Sequence, residues 1–395
     1  MQVGIGFSAE SDHIKAAKEA VDNAMPGINK GKVDLAFLFS TIKFNHPLVL
    51  KTIAESLKNI PLLGLNTPAV MFNLGIYSNG LLVVLFSLPE GIYFNTACVK
   101  EVSTKTALAS GEKLGEELLY GCQGVRRNLS IIFSDGCIAD KQNIIFGLQE
   151  KIGRSFPMVG ASTCGLNART EKACLYFGSL ALNDAVCGIL FGDKLNFGLG
   201  IKHGWQPLGK PRKITRSSGN TINEIDDKAG VDLYQEYLAK NVSGLKKNLG
   251  RISTFYPLGI DITRKKEYLL RSLSSIEDDG SLVFNGDTPQ GSTVRLMISS
   301  KESCLESTRQ AAKLAKKSLG NQKPKLLLVF NSLARAILLG RQENMEIEII
   351  KDVFGKDTPI AGVYTLTEQA PLSSAIYLGK SYFHNNSIAI LAIAG

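Results

Sequence analysis

A seven-residue phrase occurs three times in this chain: PLLGLNT at 61–67, PMVGAST at 157–163 and PIAGVYT at 359–365. The shared pattern is P-x-x-G-x-x-T. Recurrence of this kind points to internal repetition, and that restricts the possible folds more than composition does. Upstream of each copy lies a short apolar run, at 33–40, 129–136 and 325–332. Runs of this length without polar alternation read as strands buried on both faces, as in a parallel sheet. A helix fits between each run and its phrase, so each pair reads as a βαβ crossover. Within the phrase, proline is tolerated at the first position of a strand. Glycine lets another backbone or a ligand come close. Threonine falls near the carboxyl end of the strand, where open α/β sheets place their ligands.

The surroundings repeat as well. A first unit, 2–88, opens with VGIGFS and a helix that Ser11 can cap, with Ala16, Ala17, Ala20, Val21 and Ala24 on one stripe. After its apolar run, Asn45 or His46 can cap a second helix whose first turn holds Pro47. Its phrase is followed by strands at 75–77 and 81–87, joined through Asn79-Gly80, a strong hairpin signal. A second unit, 92–193, repeats the order, with a helix capped by Ser103 or Thr104, another at 141–152, and closing strands at 173–177 and 185–192. A third unit, 292–395, opens with a strand at 294–298 and a helix at 302–319, and closes with strands at 375–378 and 387–395. Residues 204–291 have no counterpart and read as an insert. The expected fold is therefore α/β, built from repeated β-α-β-α-β units, each closed by a β-hairpin, in mixed sheets. The domain boundary is expected near Gly204, giving domains 1–203 and 204–395.

Composition narrows the function. The 395 residues carry a net charge of +9 with 44% hydrophobic residues, which describes a globular protein. The basic excess is densest at Lys210, Arg212 and Lys213, at Lys246-Lys247 and at Arg264-Lys265-Lys266. Few aromatics accompany these clusters, so they read as a solvated face and not a nucleic-acid groove. No apolar run reaches membrane-spanning length, and the start lacks a secretory pattern, so a cytoplasmic protein is expected. Seven cysteines, an odd number without a C-x-x-C pair, argue against disulfides and structural zinc.

Several stretches in the right order carry a family resemblance: LSIIFSDG, FPMVGAST, GWQPLG followed by ITRSSGNTINEID, GSLVFNGDTPQGSTVRL, and LLLVFNSLAR with PIAGVYTLTEQAPL. The chain resembles the FIST proteins over nearly its whole length, with an N-terminal and a C-terminal FIST domain. The resemblance implies a sensory module of intracellular signalling that binds a small molecule, such as an amino acid or related metabolite. It also implies a separate partner protein for output, because the chain has no room for a kinase, cyclase or similar module. The sequence departs from the family where GLNTPAV replaces a Gly-Cys-x-Thr phrase. In NSLAR, Ser332 and Leu333 stand where a cysteine is common, although Arg335 is kept. No cysteine chemistry is carried over at those positions.

The residues themselves place candidate ligand contacts at strand ends: Ser134, Asp135, Gly136, Cys137, Gly160, Ser162, Thr163, Cys164, Arg335, Tyr364, Thr365 and Glu368. Arg335 suits a carboxylate through a bidentate fork, and Asp135 or Glu368 suits an ammonium. Cys137 and Cys164 have no histidine nearby in sequence to act as base. No clustered metal ligands occur, and no cofactor is expected. Two functions stay open: a ligand-sensing module, and an enzyme acting on a small metabolite with a strand-end acid such as Asp135 or Glu368. A single pocket is expected where the second and third units meet, lined by Asp135, Thr163, Arg335 and Glu368.

Overall fold

The computed structural model describes residues 1–29, 31–138, 140–164, 173–262, 267–372 and 380–395. The first unit contains β1 (Gln2–Ser8), α1 (His13–Ala24), β2 (Leu35–Thr41), α2 (His46–Ser56), β3 (Leu62–Thr67), β4 (Val70–Phe72), β5 (Gly75–Tyr77) and β6 (Leu81–Ser87). Asp12, not Ser11, caps α1 by accepting from the amides of Ile14 and Lys15. Asn45 caps α2 and leaves His46 as its first residue. The alanine stripe of α1 lies directly on β1 because Gly6 has no side chain; a Cβ there would stand 2.0 Å from the Ala20 carbonyl oxygen.

The second unit contains β7 (Ile92–Lys100), α3 (Ala107–Tyr120), β8 (Arg127–Ser134), α4 (Lys141–Ile152), β9 (Met158–Ser162), β10 (Leu175–Phe177), β11 (Leu180–Leu182) and β12 (Ala185–Asp193). Thr106, and not Ser103, caps α3. Next comes β13 (Asn196–Lys202). The insert follows, with β14 (Gln206–Ser218), β15 (Thr221–Ile225), β16 (Lys228–Ala229), α5 (Gly230–Leu238), α6 (Val242–Lys247), α7 (Leu249–Phe255), β17 (Leu258–Asp261), β18 (Tyr268–Arg271), β19 (Leu273–Ile276), β20 (Leu282–Phe284) and β21 (Thr293–Ile298). The third unit resumes with α8 (Lys301–Leu319), β22 (Leu326–Ser332), α9 (Leu333–Leu339), α10 (Met345–Phe354), β23 (Ile360–Thr365), β24 (Thr367–Pro371), β25 (Ser381–His384) and β26 (Ile388–Ala394).

All three phrases form strands, β3, β9 and β23, parallel to the apolar strands β2, β8 and β22. Their prolines share one task. The carbonyls of Pro61, Pro157 and Pro359 accept the amides of Ala36, Ser130 and Leu327 at the start of the parallel ladder. Their glycines admit a neighbouring backbone: a Cβ at Gly64 or Gly160 would stand 1.8 or 1.9 Å from the carbonyl oxygen of Leu38 or Ile132.

Three six-stranded sheets result, ordered β1-β6-β2-β3-β10-β11, β7-β12-β8-β9-β24-β25 and β13-β26-β22-β23-β4-β5. Two expectations are corrected here. The expected closing pairs, 75–77 with 81–87 and 173–177 with 185–192, do not form; the strand pairs after the phrases are instead β4–β5, β10–β11 and β24–β25, and each is laid on the phrase strand of a different unit. In the first and third units the link after the phrase is short, and only Pro68 and Ala69 separate β3 from β4. Only Leu366 separates β23 from β24, so the chain steps straight onto the next sheet. The strand pair around Asn79-Gly80 is accordingly not a hairpin, since β6 pairs with β1 and β2. Secondly, the third unit opens with β13, not with the strand at 294–298, which is β21 of the insert. The insert is threaded between β13 and its helix α8. Gly198 and Gly200 of β13 meet Ala315 and Ala311 of α8 as Gly4 and Gly6 of β1 meet Ala24 and Ala20 of α1. The expected strand at 375–378 lies outside the described residues.

One face of each sheet points to a shared core, and the other lies under helices. Phe37 and Phe39 of β2 meet Phe133 of β8 at ring distances of 6.1 Å, and Phe133 meets Phe330 of β22 at 6.0 Å. The insert has its own sheet, ordered β18-β17-β21-β14-β15-β20-β19 with β16 beside β15, and its own core. Among its basic residues, Arg212 contacts Asp226 and Glu236, and Lys246 contacts Asp278. Arg264, Lys265 and Lys266 lie outside the described residues. Among the described residues no helix is long and apolar enough to cross a membrane. None of the seven cysteines is in a disulfide.

Candidate functional site

The handing-over of β24 brings the second and third units together. β24 lies antiparallel to β9, pairing Thr367 with Ser162 and Glu368 with Ala161. On the helix-covered side of this junction the Ser134 and Ser162 hydroxyls are 2.7 Å apart, and Gln369 Nε2 donates to Ser134 Oγ at 3.1 Å. On the core side, Glu368 is wholly buried and accepts from Thr365 Oγ1 at 2.6 Å and from the Ser387 hydroxyl at 2.5 Å. Burial pushes the Glu368 carboxyl up to about 8, so it is mostly protonated at neutral pH.

The remaining second-unit candidates surround this shelf and are largely occupied. Asp135 accepts from the amides of Cys137 and Asp184, which makes it the anchor of its own loop. Thr163 Oγ1 accepts the Gly136 amide, and a Cβ on Gly136 would strike the Thr163 carbonyl oxygen at 2.1 Å. Gly160 faces Ile132, so its missing side chain serves strand packing. Cys137 is exposed, with its thiol raised by burial of its surroundings and by Asp135. Cys164 is buried, and burial lifts its thiol to about 12. Neither resembles an activated thiolate.

Arg335 is placed otherwise than expected. It sits in α9 and pairs with Glu346 of α10 at 2.6 Å, not with Glu368. Its remaining donors reach Ser307 Oγ, Thr308 Oγ1 and the carbonyls of His203 and Cys304. With its donors committed to protein groups, Arg335 clamps α8, α9 and α10 together and offers no free fork to a carboxylate. Tyr364 likewise donates to Glu343 Oε2 at 3.1 Å.

Residue-by-residue reading of the sequence missed Lys141, the first residue of α4. It is 7% exposed, forms no ion pair among the described residues, and rests 5.4 Å from the Phe383 ring centre. Burial lowers it to about 8, against the opposing pull of Asp135 and Cys137. Gln369 Oε1 and Thr367 Oγ1 are also buried without partners. A signal for Lys141 existed: the helix after each middle strand carries a basic residue in its first turn, His46 and Lys141 at the first position of α2 and α4 and Arg335 at the third position of α9. In the first unit that residue closes a buried relay. Tyr176 lies 2.5 Å from Ser40 Oγ and 2.7 Å from His46 Nδ1, and burial lowers His46 to about 4. Among the described residues no group of three or more His, Cys, Asp or Glu could hold a metal.

Comparison with known proteins places this architecture. Residues 34–228 match the family model described as FIST N domain, and residues 230–371 match the FIST C domain. An uncharacterized protein of Methanocaldococcus jannaschii is 25% identical over 240 residues, covering 56% of this chain and 45% of the relative. The match thus spans less than half of that relative's length. Among solved structures, a cyanuric acid hydrolase from A. caulinodans covers 99% of both chains at 7% identity with a TM-score of 0.39. A second cyanuric acid hydrolase structure gives 6% identity and a TM-score of 0.37, also over 99% of both chains.

Proposed function

The chain belongs to the FIST family, and we propose that it is a sensory module that binds a small metabolite at the shelf where β24 meets β9. Amino acids and related compounds are the first candidates, and output passes through a separate partner protein inside the cell. The three equal sheets support reading the phrases as marks of an internal repeat. The observation that carries the site is unused hydrogen-bonding capacity: Gln369 Oε1 and Thr367 Oγ1 are buried without partners on β24, whose Gln369 Nε2 donates to Ser134 of the Ser134–Ser162 pair, and Lys141, without an ion pair among the described residues, is buried nearby at the start of α4. Buried polar groups are ordinarily satisfied, and a site that binds polar ligands is one place where they are not. Both oxygens of Asp135 and both of Glu368 are already engaged, which favours binding over acid–base turnover.

A thermal-shift screen of the purified chain against amino acids and common metabolites tests this. A ligand at 100 times its Kd adds about 2.7 kcal/mol of stability. Its affinity is then measured by calorimetry in Ser134→Ala and Lys141→Met. Unchanged affinity in both variants, or turnover of the bound compound, would remove the reading.

A further inference from the structure

We propose that the cleft between α4 of the second unit and the inserted sheet is a second ligand site, built for a small organic anion that also carries a hydroxyl or amino group. The cleft measures about 550 Å³ and is walled by Gln142 and Phe146 on one side, Asp261 and Arg271 on the other, and Lys380 and Tyr382 at its end. This site goes beyond the shelf and does not depend on it.

Arg271 carries the anion assignment. It is 2% exposed and has no ion-pair partner among the described residues. Its Nε donates to the Asp287 carbonyl, and its Nη1 donates to the carbonyls of Leu270 and Phe383. Its Nη2 has no acceptor among the described residues. Burial lowers the group to about 10, the mark of a cation short of compensation. Gln142 supplies a second, independent donor. It is 3% exposed; its Oε1 accepts the Phe383 amide, while its Nε2 is buried without a partner. Gln142 also lies in the first turn of the 12-residue α4, where backbone amides favour negative charge. Lys380 adds an exposed cation, 4.5 Å from the Phe146 ring centre and 5.7 Å from that of Tyr382.

The same walls hold Asp261 and Asp287, so a bare anion is not the full complement. Asp261 Oδ1 is buried without a partner and can accept a hydrogen from the far end of the ligand. Burial, with Asp140 nearby, raises the Asp287 carboxyl, which weakens its repulsion of an anion. The ligand therefore bridges the second unit and the inserted sheet, with its acidic head on Arg271 and Gln142.

The test uses the full-length chain with inorganic phosphate and glycolate as probes, and glycerol and chloride at equal ionic strength as controls. Gln142→Glu keeps the acceptor for the Phe383 amide and places a negative charge where the free donor was. Calorimetry should show phosphate or glycolate binding to the unmodified chain and at least tenfold weaker binding in Gln142→Glu and Lys380→Met. The stronger of the two probes identifies the head group as phosphate or carboxylate. Ser134→Ala should leave probe binding unchanged, which keeps this outcome separate from the shelf. The proposal is overturned if neither probe binds beyond the chloride control, or if Gln142→Glu binds as the unmodified chain does.

Discussion

Arg335 Nη2 stands 2.6 Å from Glu346 Oε1, and the two side chains are 0% and 2% exposed. Glu346 also accepts from Asn331 Nδ2 and Thr308 Oγ1, so the pair is the centre of a network joining β22 to α8 and α10. A guanidinium that the sequence offers as a ligand contact is in fact tied to an internal carboxylate. Its position just beyond the end of β22, in the first turn of α9, is the same in either role, and only its partner separates the two.

Removing one member of such a pair leaves the other charge buried alone. Arg335→Ala should therefore cost about 3–5 kcal/mol of folding stability. Urea denaturation of the variant checks this. A loss below about 1 kcal/mol would mean that Arg335 is not the clamp described.

Lys141 presents the opposite case. Its folded pKa lies below its unfolded value, so ionisation opposes folding, and at pH 7 that cost is present in full. Lys141→Met should raise the stability of the ligand-free chain by about 1–3 kcal/mol while weakening ligand binding at the shelf. Stability unchanged or lowered at pH 7 would show that the ammonium has an acceptor.

Glu368 predicts a pH dependence. Its folded pKa, about 8, lies above the model-peptide value of 4.5. Its contribution is complete below pH 4.5, falls as the unfolded carboxyl ionises, and is lost once pH passes 8. Between those limits the unmodified chain should lose up to about 1.4 kcal/mol per pH unit relative to Glu368→Gln. Denaturant titrations of both proteins at pH 5, 6.5 and 8 measure the slope difference, and parallel curves would contradict the assignment.

Gly160 separates strand packing from ligand contact. A Cβ there would stand 1.9 Å from the Ile132 carbonyl oxygen, with backbone that cannot swing aside. Gly160→Ala should cost about 3 kcal/mol or more in stability. A variant that keeps its stability and loses only ligand affinity would return Gly160 to the site.

The sequence by itself determined the local elements. Apolar runs such as LAFLFS and LLLVF can only be doubly buried strands, the phrases mark the parallel strands beside them, and the motifs in order disclose the family. These are short-range consequences of hydrophobic pattern and proline–glycine chemistry, and each is complete within about thirty residues. Tertiary structure alone decided which sheet each hairpin joins, because β4 pairs with β23, far along the chain, and not with the neighbouring β3. It also decided that β13, and not β21, opens the third unit, since the insert places α8 about a hundred residues beyond its strand in the chain. For the same reason the polar groups sorted themselves only in three dimensions. Whether Arg335, Lys141 or Arg271 is paired depends on carbonyls and carboxylates that reach it from distant segments, and the unsatisfied groups, which point to ligands, become visible only when every partner is in place.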